Sequence, residues 1–302
     1  MKNFALIGAA GYIAPRHIEA MQQTGNRLVA ALDPHDSVGF LDKSFPNTAF
    51  FTEAEQFAKH LDILRRRGET ERVHYVSICS PNYLHDAHIR MALQQGADAI
   101  CEKPLVLDLH SLDALEQIEK ETGQRVYTIL QLRVHPAIQK IKQDIEAWKK
   151  QSPASKKQVQ IRYVTSRGNW YLQSWKNNPQ KSGGLASNIG VHFFDMMLWL
   201  FGSVQQQEVQ LSEQQRMRGV IELEHATVSW FLSIDSNDLP TQIQQTGQRT
   251  YRSITIDGEE MEFSDGFTDL HTKVYEETLK GNGFRIADAR PAIALVNQIT
   301  NT

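Results

Sequence analysis

Cysteine is almost absent: Cys79 and Cys101 are the only two in 302 residues. Each stands in a short apolar run, with no local pairing or metal-binding spacing around it. Two such thiols argue against a disulfide framework and read as reduced core residues of a cytoplasmic protein. An excess of one charge is lacking too. Thirty-two basic and 35 acidic residues leave a formal charge of −3. That argues against a nucleic-acid binder built on bulk electrostatics, but not against an anionic small ligand held by a few local cations. No run approaches the ~18 uninterrupted apolar residues of a membrane helix. The opening MKNFALIGAAGY is too briefly apolar for a secretory leader. Internal repeats and low-complexity tracts are missing as well. No metal, nucleic acid or membrane partner is expected.

What remains is an ordinary globular composition, 41% hydrophobic and 22% charged, in a chain long enough for two domains. Residues 1–135 alternate short apolar runs with amphipathic stretches. NFALIG, RLVAALD, VHYVSICSP, ADAICEKP and RVYTILQ read as strands; RHIEAMQQTG, HIRMALQQG and LDALEQIEKETG read as helices. Strand and helix in turn at this spacing predict a parallel sheet wrapped by helices. EQFAKHLDILRRRGETER is a further helix, and its Arg65-Arg66-Arg67 exit reads as a solvated end suited to the helix dipole. Near residue 150 the polar KKQSPASKK marks a junction. Beyond it QVQIRYVTSRGNWY, VIELEHATVSWFLSI and RSITIDGEEMEFS alternate with period two, which predicts antiparallel sheet over part of residues 136–302. The fold class is α/β: an N-terminal dinucleotide-type domain and a C-terminal α/β domain with a mainly antiparallel open sheet.

Four motifs carry chemistry. In LIGAAGYIAPRHI a strand enters Gly8, a glycine-rich turn follows and a helix leaves. The dinucleotide fingerprint places glycine at three positions held here by Gly8, Ala10 and Ile13, with Gly11 in addition. Asp33 ends the second strand, where an acid accepts both ribose hydroxyls and repels a 2′-phosphate; NAD is therefore expected over NADP. In SICSPNYLHDAHI, Ser80, Pro81 and Asn82 leave a strand toward a helix N-terminus, either facing a cofactor or capping the helix. His85 and His88 lie three apart on that helix, but no other metal ligands accompany them. In CEKP, Glu102, Lys103 and Pro104 end a buried strand. Lys103 is either an ordinary exposed lysine or a cation at the sheet edge; the three strand ends at Gly8, Ser80 and Lys103 favour the edge. In SGGLASNIGVHFFDMMLWLFG a helix apolar almost all round carries Asn188 and His192 four residues apart on one face. His192 is either a satisfied core histidine or one that faces a substrate cleft.

With these motifs in order, the chain resembles the glucose–fructose oxidoreductase and inositol dehydrogenase family, in which an N-terminal Rossmann domain precedes a C-terminal α/β domain. The resemblance spans nearly the whole chain. The wording GAAGYIAPRH, ICSPNYLHD, ILQLRVHP and SGGLASNIGVHFFDM is most similar to one branch. These are the bacterial UDP-N-acetyl-2-amino-2-deoxyglucuronate 3-dehydrogenases of the WlbA and WbpB type, which prepare C3 for amination in O-antigen sugar synthesis. Many family members carry aspartate four residues before the helix histidine, where this chain has Asn188. That departure disfavours a simple polyol and suits a substrate already bearing a carboxylate and a diphosphate.

The expected NAD-facing set is Gly8, Ala10, Gly11, Tyr12, Ile13, Asp33, Ser80, Pro81, Asn82, His85, Glu102, Lys103, Gln131, Trp170 and Tyr171. The expected substrate set is Arg16, Lys103, Arg167, Trp175, Lys176, Asn188 and His192, with Lys181 nearby. His192 is assigned as general base and Lys103 as the cation stabilising alkoxide character, roles that are interchangeable on sequence alone. The resemblance further implies a homodimer or homotetramer and reoxidation of bound cofactor by 2-oxoglutarate. Oxidation of another sugar or polyol and a non-catalytic NAD-binding sensor are the rival readings.

Overall fold

The computed structural model describes residues 1–152, 154–264 and 268–301. The chain forms two compact units, Met1–Ile129 with Asp269–Arg290, and Leu130–Thr268 with Pro291–Thr302. Composition and alternation place a single boundary at 135, with everything beyond it in the second domain. The fold instead returns residues 269–290 to the first unit, chiefly as the helix Leu270–Leu279. Periodicity marks that segment as a helix, but it does not say which sheet the apolar face covers.

The first unit contains β1 (Asn3–Ile7), α1 (Ala14–Gln23), β2 (Arg27–Leu32), β3 (Ala49–Phe51), α2 (Ala54–Arg66), β4 (Tyr75–Ile78), α3 (His85–Gln94), β5 (Asp98–Cys101), α4 (Leu109–Thr122) and β6 (Val126–Thr128). Its six strands run in the order β3-β2-β1-β4-β5-β6, all parallel. β1 is buried at every position, as a central parallel strand covered on both faces must be. The chain winds outward from β1 to β3 and then restarts at β4 on the other side. The crevice between β1 and β4 is therefore the switch point at which open α/β sheets bind ligands. Register levels the strand ends there: Ile7 lies opposite Leu32 and Ile78, and Ile78 opposite Cys101.

The helices follow local rules. α2 buries Phe57, Leu61 and Leu64 on one stripe. At its exit Arg65 and Arg66 each reach Asp62 at 2.7 Å, a solvated helix end. α4 begins where the Asp108 side chain accepts the Ser111 amide, and it stops at Gly123 with φ 73°.

The second unit contains α5 (Pro136–Gln151), β7 (Lys157–Thr165), the short helices Asn169–Gln173 and Pro179–Ser182, and the helix Val191–Phe201. These precede β8 (Val204–Ser212), β9 (Arg216–Leu223), β10 (Ala226–Ser233), β11 (Thr250–Ile256) and β12 (Glu259–Glu262). The sheet order is β12-β11-β7-β10-β9-β8, and only β7 and β10 pair in parallel. On one face Val159, Ile161, Trp230 and Ile254 join a core with the helix Val191–Phe201. Phe194 meets Trp230 edge-on at 5.3 Å, and Tyr163 meets Phe193 at 4.8 Å. The other face carries exposed Gln160, Arg162, Arg218 and Ser229. It is polar because the apolar half of each alternation is already used beneath the helix.

The stretch 182–202 also departs from a single apolar helix. Gly183 and Gly184 have φ of 78° and 76°, and a π turn over Ala186–Gly190 feeds the α-helix. Within the helix, buried Asp195 takes two hydrogen bonds from Arg133, at 2.7 and 3.0 Å. Among the described residues no helix is long and apolar enough to cross a membrane.

Candidate active site

Three neighbouring strand ends build the edge of the first unit's sheet. After β1 the chain turns at Gly8, with φ +86°; a Cβ there would lie 2.7 Å from the backbone of Cys79 and Ser80. Only glycine allows the turns after β1 and β4 to touch. The Gly8 and Ala9 amides donate to the Leu32 carbonyl at 2.9 and 3.2 Å, which ties the turn to the end of β2. Asp33 closes the corner: its carboxylate accepts from the Ala10 amide and the His35 amide, each at 2.9 Å. Tyr12 is 93% exposed, Ile13 half-buried, and Arg16 lies 3.5 Å from Glu19. Among the described residues no protein acceptor takes the amides of Tyr12 and Ile13.

The turn after β4 is braced from beneath. Ser80 Oγ lies 2.8 Å from His88 Nδ1, and burial pushes the His88 imidazole down to about 4. His85 is fully buried, with its ring nitrogens 2.7 Å from the Pro104 carbonyl and 2.9 Å from the Ser80 carbonyl. It was expected to face a cofactor; it links the turns after β4 and β5 instead. Asn82 is buried in the turn Asn82–Leu84, and no side-chain cap marks the start of α3. After β5, Lys103 is half-buried and the Lys103–Pro104 peptide is cis. Glu102 was expected on the cofactor side. Its carboxylate turns inward, 2.8 Å from His271 Nε2 and 3.1 Å from His17 Nε2.

This edge fits a dinucleotide. Gly8 lets the turns after β1 and β4 close on each other, the amides of Tyr12 and Ile13 can receive a diphosphate, and Asp33 stands where a ribose would present its hydroxyls.

In the second unit, buried Asn188 donates from Nδ2 to the Tyr171 hydroxyl. An amide can donate to a phenol oxygen; the aspartate that many family members carry could only accept. The π turn, a feature frequent at functional sites, ends at Gly190, two residues before half-buried His192. Arg167 lies 6.0 Å from the Tyr171 ring, Trp170 is 55% exposed, and Lys176 Nζ sits 3.9 Å over the Trp175 ring. Leu172, Trp175, Asn178 and Lys181 border an open hollow of about 800 Å³. The Gln131 side-chain oxygen is buried and has no hydrogen-bond partner among the described residues. Sequence reasoning missed the Arg133–Asp195 pair and every partner of Glu102. A buried acid on an apolar helix was the available signal for the former, because such a group must find a partner.

The chain belongs to the oxidoreductase family with an NAD-binding Rossmann fold, whose profile matches residues 2–130; the family's C-terminal alpha/beta domain matches residues 157–236. NAD is the cofactor of this fold family, and the chain is one of its enzymes. Its sequence is 50% identical to the WlbA (WbpB) dehydrogenase from Thermus thermophilus solved in complex with NAD and UDP-GlcNAcA. That match covers 99% of this chain and 95% of the other, with a TM-score of 0.94. The Thermus thermophilus dehydrogenase in complex with NAD and alpha-ketoglutarate matches at 52% identity over 97% and 93%, with a TM-score of 0.93. The oxidoreductase YteT of Bacillus subtilis is 28% identical over 67% of this chain and 47% of its own length. The next two curated relatives are covered over 38% and 56%, so the chain spans about half the length of the curated relatives it matches.

Proposed function

We propose that the chain oxidises the C3 hydroxyl of a UDP-sugar, UDP-N-acetyl-2-amino-2-deoxyglucuronate, to the 3-keto sugar, in a cytoplasmic route to bacterial O-antigen sugars. The observation that carries this reading is 50% identity along almost the full chain with a dehydrogenase that holds NAD and UDP-GlcNAcA. The switch-point edge of the first unit supports the cofactor half of the reading. When bound there, NAD supplies the hydride acceptor.

The chain's own residues supply the proton chemistry. Lys103 Nζ, at the end of β5, stabilises negative charge on the reacting oxygen, and the His192 imidazole takes the hydroxyl proton. Arg167, Trp175, Lys176 and Lys181 offer cations and aromatic surface to a uridine diphosphate. Oxidation releases a hydride equivalent and a proton, and 2-oxoglutarate consumes both on becoming 2-hydroxyglutarate. Assembly is a homodimer or homotetramer through the open sheet face, whose polar character predicts a hydrated interface; a monomer at micromolar concentration by sedimentation overturns it.

The test is a panel of UDP-sugars and free polyols, scored by melting shift and by product mass. Stabilisation and a keto product are expected with the UDP-uronate alone. Turnover of inositol or another free polyol would replace the substrate, and NAD binding with no turnover of any sugar would favour a sensor.

A further inference from the structure

Glu102 is at the centre of a buried cluster that the proton chemistry above does not use. His17 on α1, and His271 and Tyr275 one turn apart on the helix Leu270–Leu279, are each no more than 5% exposed. His17 Nε2 and His271 Nε2 both approach one carboxylate oxygen of Glu102, at 3.1 and 2.8 Å. His17 Nδ1 lies 2.7 Å from the Tyr275 hydroxyl, which lies 2.5 Å from Ser77 Oγ.

The hydrogen inventory runs one way. Burial pushes the Glu102 carboxyl up, but the hydrogen bonds from His17 and His271 outweigh it and hold the group well below the usual carboxylate range. An ionised carboxylate only accepts, so both Nε2 atoms donate. Burial pushes the His17 imidazole down more strongly than Glu102 pulls it up, and a neutral ring leaves Nδ1 to accept from Tyr275. Tyr275 in turn accepts from Ser77. From Ser77 Oγ through the Tyr275 hydroxyl and the His17 ring to Glu102 each donor meets an acceptor, and hydrogen bonds stabilise the buried carboxylate. The second Glu102 oxygen accepts the Lys103 amide at 3.3 Å.

We propose that Glu102, held by His17 and His271, is the positioning residue of the reaction: it fixes the backbone that presents Lys103 at the sheet edge. The proposal rests on the role of Lys103 given above. It also explains why the helix Leu270–Leu279 returns to the first unit, since that helix brings the second histidine to the strand end. The two histidines and Glu102 place their ligand-type atoms within 4.8 Å of one another, which also suits a metal ion. The donor-to-acceptor order from Ser77 to Glu102 favours hydrogen bonds.

The experiment compares Glu102→Gln, His271→Ala, His271→Gln and Tyr275→Phe with the natural protein. Glutamine at 271 keeps an N–H near the Nε2 position, and glutamine at 102 keeps the shape but loses the charge. Glu102→Gln and His271→Ala are expected to lower kcat about 10- to 100-fold through misplacement of Lys103, with KM and NADH affinity changed less than about threefold. His271→Gln recovers most of that loss. Amide hydrogen exchange in the segment holding Lys103 is expected to quicken about tenfold in His271→Ala and less in Tyr275→Phe, without a matching change elsewhere. Unchanged kcat and unchanged local exchange overturn the proposal, as does one equivalent of zinc in the natural protein that His271→Ala removes. If the natural protein oxidises no UDP-sugar, the functional reading fails, and the exchange measurement still decides the positioning claim. If His271→Ala does not fold, Tyr275→Phe and Glu102→Gln carry the exchange test.

Discussion

Asp33 accepts the Ala10 amide that shapes the glycine turn, and on the proposed function its carboxylate also receives the ribose hydroxyls of NAD. Losing a charged acceptor of ribose hydroxyls costs about 1.5–3 kcal/mol. Asp33→Ala is therefore expected to weaken NAD by about tenfold or more and to narrow its advantage over NADP. Equal affinity of the natural protein for the two, measured by titration, would remove this role. His88 gives a pH dependence whose sign is fixed. Its imidazole takes a proton near 4 in the fold and near 6.5 when unfolded. Between those values the unfolded chain binds more protons, so this contribution is complete above 6.5 and is lost as pH falls through about 4. Buried His17 and His85 are shifted in the same direction. Thermal midpoints are expected to drop across that window, and His88→Gln to flatten part of the slope; an identical slope in the variant contradicts the assignment. Gly8, Asp33, Ser80 and Lys103 were legible because each ends a strand in a recognisable pattern. His17, His271 and Tyr275 were not, because pairing across 85 and 169 residues leaves no local trace.

The strands and helices of the first unit were readable from alternation, glycine and charge, since each parallel strand is a short apolar run followed by an amphipathic helix. The glycine turn is the element on which the site depends. Gly8→Ala adds a methyl 2.7 Å from backbone that cannot move aside, at a φ of +86° that favours glycine. Left-handed strain and overpacking together cost at least about 2 kcal/mol. The variant is expected to melt lower and to lose NADH binding, by fluorescence titration. Gly25→Ala is the control, because its Cβ meets nothing within 4 Å although its φ is also positive; an equal loss of cofactor binding there would show that close approach is not the cause. In the second unit, alternation revealed the sheet, but period two alone does not say which half a helix covers. The π turn before His192 was illegible for a related reason: apolar spacing of three and four hardly distinguishes one wide turn from regular helix.

At the level of the whole chain, two compact units were foreseen, but the return of residues 269–290 to the first was not. Chain order records where a segment lies in sequence, and only packing records which core it completes. On the proposed function, a hydride acceptor at the switch point, proton groups at Lys103 and His192, and a keto acid that restores the oxidised cofactor would make up a ping-pong cycle. Its direct measurement uses enzyme, substoichiometric NAD, the UDP-uronate and 2-oxoglutarate, with products counted by mass. Many equivalents of 3-keto sugar per NAD are expected, matched by equal 2-hydroxyglutarate, with both products lost together in Lys103→Met. Turnover that stops after one equivalent of cofactor despite added 2-oxoglutarate, or loss of only one product in Lys103→Met, would contradict it.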